Sequence, residues 1–237
     1  MKYMRFWVQT VAIISLLATS VDGYGQDEDA DVRKLKIEAG ADLVSSYVWR
    51  GIYQTGASIQ PVLSLSTYGL TIEAWGSTDF STMAKEIDFS LSYQIKGFSV
   101  GIADYWWSGE GASYFRNRCS HHLEANLGFT VSERFPLLLE VNTMLTGEED
   151  KDNDGKKFYS TYISASFPFS VKSIDCEMGI GVSPWKGMYG DKFDVVTLTA
   201  RATKKLQLSQ KFALPVFVEL TFSPVQDNAF LVFGLRF

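Results

Sequence analysis

Apolar residues occupy every second position of Ile174-Asp175-Cys176-Glu177-Met178-Gly179-Ile180-Gly181-Val182-Ser183. The residues between them are polar, charged or glycine. A period of two matches a β-strand, whose successive side chains point to opposite faces. An α-helix would need apolar residues three and four positions apart, which this segment does not supply. The segment therefore predicts a strand with one apolar and one polar face.

The same alternation recurs from Lys36 to the end of the chain, broken by clusters of Gly, Pro, Asn, Asp and Ser. Pro215 interrupts one of the runs, and because proline lacks an N–H, ten strands remain an alternative to twelve. The twelve predicted strands are 36–49, 60–68, 69–79, 86–96, 98–107, 119–131, 136–146, 158–168, 173–183, 192–203, 210–222 and 227–237.

The links between these strands alternate in length. Short links such as Tyr68-Gly69 and Lys96-Gly97 are followed by longer or more polar ones, at 50–59, 80–85, 108–118, 147–157 and 184–191. Transmembrane barrels sort their connections in this way, with short periplasmic turns and longer outer loops. We therefore predict an all-β fold, a closed antiparallel transmembrane β-barrel over residues 36–237.

Composition and the N-terminal segment indicate export. Of 237 residues, 46% are hydrophobic and 14% aromatic, so the chain is expected to fold. The net charge of −5 argues against a nucleic-acid partner. Lys2 and Arg5 precede an apolar run at 6–18, as in a secretory signal peptide. We predict a signal peptide at 1–25 and a flexible leader at 26–35.

The last residues of the chain resemble the assembly signal of bacterial outer-membrane barrels. Phe233, Leu235 and Phe237 share one face of the final predicted strand. The expected partners are therefore the barrel-assembly machinery, outer-membrane lipid and lipopolysaccharide. Export followed by membrane insertion also predicts that the apolar face meets lipid and the polar face lines the lumen. Tyr47 and Trp49, near the end of the first strand, are expected in an interfacial aromatic belt.

A family resemblance is carried by residues 45–55, Ser-Ser-Tyr-Val-Trp-Arg-Gly-Ile-Tyr-Gln-Thr. They match the signature S-x-Y-V-[FW]-R-G-[IL]-x-Q-T of the TorF-type porin family. Ala74-Trp75-Gly76-Ser77, Glu86-Ile87-Asp88 and Tyr105-Trp106-Trp107 follow in the order of that family. The resemblance covers about the first third of the exported chain and implies an outer-membrane barrel of porin type. It implies no catalytic or ligand-binding residues.

Charged residues on the polar face are the candidates for selecting solutes, and carboxylates outnumber arginines among them. We predict a narrow passive channel for small solutes or ions that prefers cations. The alternative is a non-conducting structural or adhesion barrel whose outer loops bind partners. Arg50, placed above Asp42 and Glu38, either fastens lumen carboxylates or selects solutes. The candidates are Glu38, Asp42, Arg50, Glu73, Asp88, Glu124, Glu140, Glu177, Arg201, Glu219 and Arg236.

Metal and catalytic chemistry have weak support in the sequence. Asp150, Asp152 and Asp154 resemble the start of a calcium loop, but Thr161 stands where an EF-hand loop needs Glu. They are kept as weak cation candidates in a solvated outer loop, and no metal site is predicted. His121 and His122, as neighbours on a strand, point to opposite faces and cannot share a metal. We predict no cofactor, no catalytic residues and no enzymatic activity.

Overall fold

A computed structural model describes residues 35–108, 113–115 and 120–237. Twelve of its strands form one closed antiparallel barrel, and two short strands form a separate hairpin. The strands are β1 (Lys36–Val44), β2 (Tyr47–Trp49), β3 (Ile52–Thr55), β4 (Ser58–Thr67), β5 (Leu70–Asp79), β6 (Lys85–Ile95), β7 (Phe98–Trp107), β8 (His121–Thr130), β9 (Leu138–Met144), β10 (Thr161–Val171), β11 (Ile174–Ser183), β12 (Asp194–Gln207), β13 (Ala213–Ser223) and β14 (Asn228–Arg236).

Each barrel strand pairs with its neighbours in chain order, and β14 returns to β1. The predicted closed barrel of twelve strands is therefore confirmed. One end of the barrel carries the short turns, including Tyr68-Gly69 and Lys172-Ser173, and we call it the short-turn end. The other end carries the longer links, such as 145–160 and 184–193, and we call it the long-loop end.

The seam between β1 and β14 closes the barrel. Asp42 lies opposite Arg236, and Leu43 opposite Leu235. The Arg236 guanidinium donates from Nε and Nη2 to the two carboxylate oxygens of Asp42, at 2.8 and 2.7 Å. Two parallel hydrogen bonds fix the orientation of the guanidinium relative to the carboxylate and also strengthen the ion pair. The seam is thus fastened by a buried ion pair in addition to backbone hydrogen bonds.

Three prolines lie within barrel strands without opening the barrel. Pro168 is paired with Glu177 of β11, but the pairing of β10 with β9 ends at Ser166. Pro215 is paired with Lys205 of β12, but the pairing of β13 with β14 begins only at Val216. Pro61 is paired with Ala41 of β1, and the pairing of β4 with β5 is interrupted at its position. Each proline therefore sits where one ladder is missing, which is where its lost N–H is tolerated. This accommodation leaves twelve strands rather than ten.

The two faces of the barrel differ as the alternation predicts. Outward residues such as Ile72, Leu91, Val100 and Phe233 are large, apolar and exposed. Inward positions are mostly polar and buried, including Ser64, Asp88, Asn126 and Thr221. A sheet closed in this way pairs its backbone groups internally while presenting hydrocarbon outward.

Within residues 35–108, 113–115 and 120–237, no helix combines the length and apolar character that crossing a bilayer requires. The predicted signal peptide and most of the predicted leader fall in residues 1–34, outside the described residues.

One predicted strand is wrong in its extent. The sequence predicts a first strand over 36–49, but β1 ends at Val44. The next residues, from Tyr47 to Thr55, form the β2–β3 hairpin instead of a simple outer loop. Tyr47 and Trp49 consequently do not reach an interfacial belt. The hairpin enters the barrel interior, as its contacts show.

Candidate functional site in the barrel lumen

The β2–β3 hairpin is a separate two-stranded unit inside the barrel. Its strands pair only with each other, through Tyr47 with Thr55, Val48 with Tyr53 and Trp49 with Ile52. Arg50 and Gly51 form the tip, with φ of 48° and 74°. Gly51 is needed there, because a Cβ on it would lie 2.9 Å from Thr197 of β12 and 2.8 Å from Ser223 of β13. We call residues 47–55 the lumen hairpin.

The tip of the lumen hairpin is tied to the far wall by Arg50. Its guanidinium donates from Nη1 to Oε2 of Glu124 at 2.5 Å and from Nη2 to Oε1 at 2.9 Å. Nη1 also donates to the hydroxyl of Tyr189. The guanidinium carbon lies 4.9 Å from the ring centre of Tyr162, within cation–π range. The hairpin therefore spans the lumen from β1 and β4 to β8 and β10.

Glu124 is fully buried and accepts hydrogen bonds from three residues at once. Besides Arg50, its Oε1 accepts from the Tyr105 hydroxyl at 2.9 Å and from the Asn126 amide at 2.7 Å. A buried carboxylate is stable only when a cation and hydrogen bonds replace its lost hydration. Glu124 is thus an anchor for the lumen hairpin.

Aromatic packing fills the space beside this anchor. Trp49 lies 5.8 Å from Tyr105, 6.1 Å from Trp107 and 6.0 Å from Tyr189, measured between ring centres. Tyr189 belongs to the link 184–193 at the long-loop end and is only 1% exposed, so this link also folds inward. The long-loop half of the lumen is consequently narrow.

The other side of the lumen hairpin packs on the barrel wall. Val48 contacts the apolar cluster of Val44, Phe217 and Val232. Tyr47 lies 5.5 Å from Trp75 between ring centres, and its hydroxyl donates to Glu86 at 3.3 Å. These contacts hold the base of the hairpin against the wall from which it leaves.

All eleven charged residues selected from the sequence have inward positions, ten on barrel strands and Arg50 on the lumen hairpin. Ion pairs join Asp42 with Arg236, Glu38 with Lys36 and Glu219 with Arg201. The expected group of Arg50 above Asp42 and Glu38 is wrong, because Arg50 crosses to Glu124 instead. Within the described part of the chain, four of the candidates make no ion pair: Glu73, Asp88, Glu140 and Glu177.

Sequence reasoning missed several residues that build this site. Glu86 is buried on the inward face of β6, and Tyr105 and Tyr162 are the aromatic partners of the hairpin anchor. Glu86 and Tyr105 share the alternation that selected Asp88 and Glu124, so that period was a usable signal. Tyr189 carried no signal, because nothing in a loop sequence shows that the loop folds inward.

Two cavities flank the lumen hairpin. One, of about 240 Å³, is lined by Arg50, Glu140, Tyr162, Glu177 and Thr199, among others. The second, of about 200 Å³, has an aromatic and charged lining that includes Tyr47, Trp49, Trp75, Asp88, Tyr105, Arg201, Phe217, Glu219 and Arg236. The interior is therefore polar and divided, rather than a single wide bore.

The two histidines point to opposite faces. His121 faces outward, with Nδ1 at 2.9 Å from Asp104 and Nε2 at 2.8 Å from the carbonyl of Tyr114. Both partners are acceptors, so this geometry suits an imidazolium that donates twice and has no lone pair left for base catalysis. His122 faces the lumen, contacts Glu149 and lies 4.2 Å from Trp107 between ring centres.

The acidic link 145–160 uses its carboxylates to order its own backbone. Asp150 accepts from the N–H groups of Tyr159 and Ser160, at 3.1 and 2.8 Å. Asp152 accepts from the N–H groups of Asp154 and Lys156, at 3.0 and 2.8 Å. Among the described residues, no group of three or more His, Cys, Asp or Glu has a metal-binding arrangement. The carboxylates of Asp150 and Asp152 thus have structural partners.

The residues expected to form the assembly signal lie on the outward face of β14 and just beyond it. Phe233 and Phe237 are both more than half exposed, and Leu235 lies between them. Phe237 also exchanges backbone hydrogen bonds with Ala41, at 2.9 and 3.2 Å, so it extends the seam.

Comparison with known proteins gives one structural likeness. The chain is similar to a double mutant of the Rh. blastica porin. The TM-score is 0.39 at 9% identity, over 85% of this chain and 73% of that one. No family model matches the sequence, and no curated protein matches it. The fold of this chain therefore rests on its own strand pairing.

Proposed function

We propose that the protein is an outer-membrane channel of porin type, related to the TorF-type porins, that passes small solutes or ions and prefers cations. The observation that carries the proposal is the charge of the lumen. Among the residues that the structure describes, the arginines of the lumen are Arg50, Arg201 and Arg236, and each has a carboxylate partner. Five further inward carboxylates, Glu73, Glu86, Asp88, Glu140 and Glu177, lack an ion pair within the described residues, so the lumen has an excess of negative charge, which attracts cations.

The exterior supports the location. Most of its exposed large side chains on the strands are apolar, as lipid contact requires. The C-terminal Phe233, Leu235 and Phe237 lie on this surface, where the assembly machinery, lipid and lipopolysaccharide would meet them. A signal peptide at 1–25 would deliver the chain to the periplasm before insertion.

The test of cation preference is the reversal potential of the folded protein in a planar bilayer under a potassium chloride gradient. Replacing Glu73, Glu140 and Glu177 together by Gln removes three unpaired lumen charges without removing an anchor. We expect the potassium-to-chloride permeability ratio to fall at least about twofold, with the difference shrinking in high salt.

A matched control removes the same charge outside the lumen. Asp154, Asp191 and Asp227 are exposed residues in links at the long-loop end. Replacing these three by Asn should leave the permeability ratio close to that of the unmodified protein. An equal fall in both triple variants, or no fall in the lumen variant, would contradict selection by the lumen carboxylates.

A second candidate, a non-conducting barrel, is favoured by the lumen hairpin. Arg50, Glu124 and Tyr189 join across the interior, so the same geometry that narrows a channel could also block one. Complete absence of conductance from correctly folded protein would support this second function and exclude the first. Removal of the lumen hairpin, described in the Discussion, separates the two.

A further inference from the structure

The cavity of about 200 Å³ beside β2 has an aromatic wall. Trp75 of β5 and Tyr105 of β7 contribute buried rings from the barrel, and Tyr47 and Trp49 contribute theirs from the lumen hairpin. An engineered apolar cavity of about 150 Å³ is large enough to bind benzene. The cavity can therefore hold an organic molecule of about five to eight non-hydrogen atoms.

Asp88 places a carboxylate in this wall. It is 8% exposed, and its Oδ1 has no hydrogen-bond partner within the described residues. Buried carboxylate oxygens normally accept at least one hydrogen bond, because burial removes their hydration. Oδ1 of Asp88 can therefore accept a hydrogen bond from a molecule that enters the cavity.

The other charges around the cavity already have partners. Arg236 is bound to Asp42 by two hydrogen bonds, and Arg201 lies 3.4 Å from Glu219. Glu86, the neighbour of Asp88 on the inward face of β6, accepts a hydrogen bond from Tyr47 and also shares a hydrogen bond with Asp88. The two carboxyl groups therefore lie side by side at this wall. No described cation forms an ion pair with Asp88, so the molecule that completes the site should carry positive charge.

We propose that this cavity binds a small primary alkylammonium ion, with its N–H groups on Asp88 and its alkyl chain against the aromatic rings. The inference rests on the proposed function, because the ligand reaches the cavity through the lumen. The inference specifies the chemical class of cation that the proposed channel binds. An ammonium next to Trp and Tyr rings gains cation–π attraction in addition to its ion pair.

The test is a titration of the folded, detergent-solubilised barrel with n-butylammonium chloride, followed by tryptophan fluorescence and calorimetry. We expect saturable binding that is at least about tenfold tighter than that of tetramethylammonium, which has the charge but no N–H donor. The uncharged n-butanol should bind more weakly still, because it lacks the ion pair. Equal affinity for the two cations would overturn the proposal.

Variants locate the site. Asp88→Asn should weaken n-butylammonium binding at least about tenfold, because a buried charge pair is lost. Trp75→Leu should weaken it about fivefold through lost contact with the ring. Asp191→Asn, which removes an exposed carboxylate of the link 184–193 that lines neither cavity, is the matched control and should change the affinity less than twofold. If Asp88→Asn fails to fold, Trp75→Leu remains as the test of the site. An unchanged affinity of Trp75→Leu for n-butylammonium would overturn the proposal.

Binding and conductance can fail separately, because the titration needs no membrane. A barrel that binds n-butylammonium but does not conduct would contradict the proposed channel and support the site. A barrel that conducts but does not bind would overturn the site and leave the channel function standing.

Discussion

Replacing residues 46–56 by a turn of about four Gly and Ser residues is expected to raise single-channel conductance roughly threefold or more. The lumen hairpin forms no ladder with the wall, so its removal leaves the twelve-strand ladder complete. Val44 and Ser58 are directly opposed on β1 and β4, so a short turn can join them. The open cross-section of the lumen increases, because Trp49 and Arg50, whose side chains span the lumen, are removed.

Bilayer recordings on the unmodified and shortened barrels measure this effect. Folding is checked by the mobility shift that heating produces in detergent electrophoresis, which both proteins should show. A matched control shortens the link 145–160 at the same end by removing 151–157, which includes its exposed residues 153–156. Its conductance should stay within about twofold of the unmodified barrel, since that segment does not cross the lumen. Unchanged conductance in the hairpin variant would contradict a constricting role for the hairpin.

Arg50→Met is expected to release the tip of the lumen hairpin from Glu124 and Tyr189. Conductance should therefore increase, as it should when the hairpin is removed. The substitution leaves Glu124 fully buried without its cation. Removing one partner of a buried ion pair costs about 3–5 kcal/mol, because the remaining charge is uncompensated. Withdrawing the hairpin admits water to Glu124 and relieves that cost, since the ladder of the wall is untouched.

Limited proteolysis measures the release. Chymotrypsin should cleave after Trp49 in the Arg50→Met protein much faster than in the unmodified protein. Combining Arg50→Met with Glu124→Gln should restore much of the protection, because a neutral amide can remain with Tyr105 and Asn126. Arg201→Met is the control, since its partner Glu219 is partly exposed and can be hydrated in place. Equal protection in the Arg50→Met variant and the unmodified protein would show that the pair does not hold the hairpin.

The alternation of polar and apolar residues was sufficient to predict the strands of the barrel wall. The alternation at 174–183 places Glu177 inward and Met178 outward, as observed, because a strand has no other way to arrange successive side chains. Link lengths predicted the up-and-down order for a similar reason: antiparallel neighbours joined by two residues, as at Tyr68-Gly69, have to pair. The inward position of the charged candidates followed from the same period.

The local pattern failed at residues 45–55. Tyr47 and Trp49 look like a continuation of the first strand, and they do form β structure, but in the lumen hairpin. Residues 52–55, predicted as part of a link, form its second strand. Whether an extended segment joins the barrel wall or folds into the lumen depends on the side chains that it contacts in the lumen. Here the deciding contact joins Arg50 to Glu124, which lies 74 residues further along the chain.

The sequence by itself determined a closed antiparallel sheet with one apolar and one polar face, because side-chain period and link length are properties of short segments. It left ten or twelve strands open, and the structure decided for twelve. Only the tertiary structure decided which opposite charges meet. Asp42 had Arg50 close by in the sequence, yet barrel closure brings Arg236 beside it and leaves Arg50 to Glu124. The partners of a charge inside a barrel are set by the ring of strands around it, and that ring exists only after the two ends of the sheet have joined.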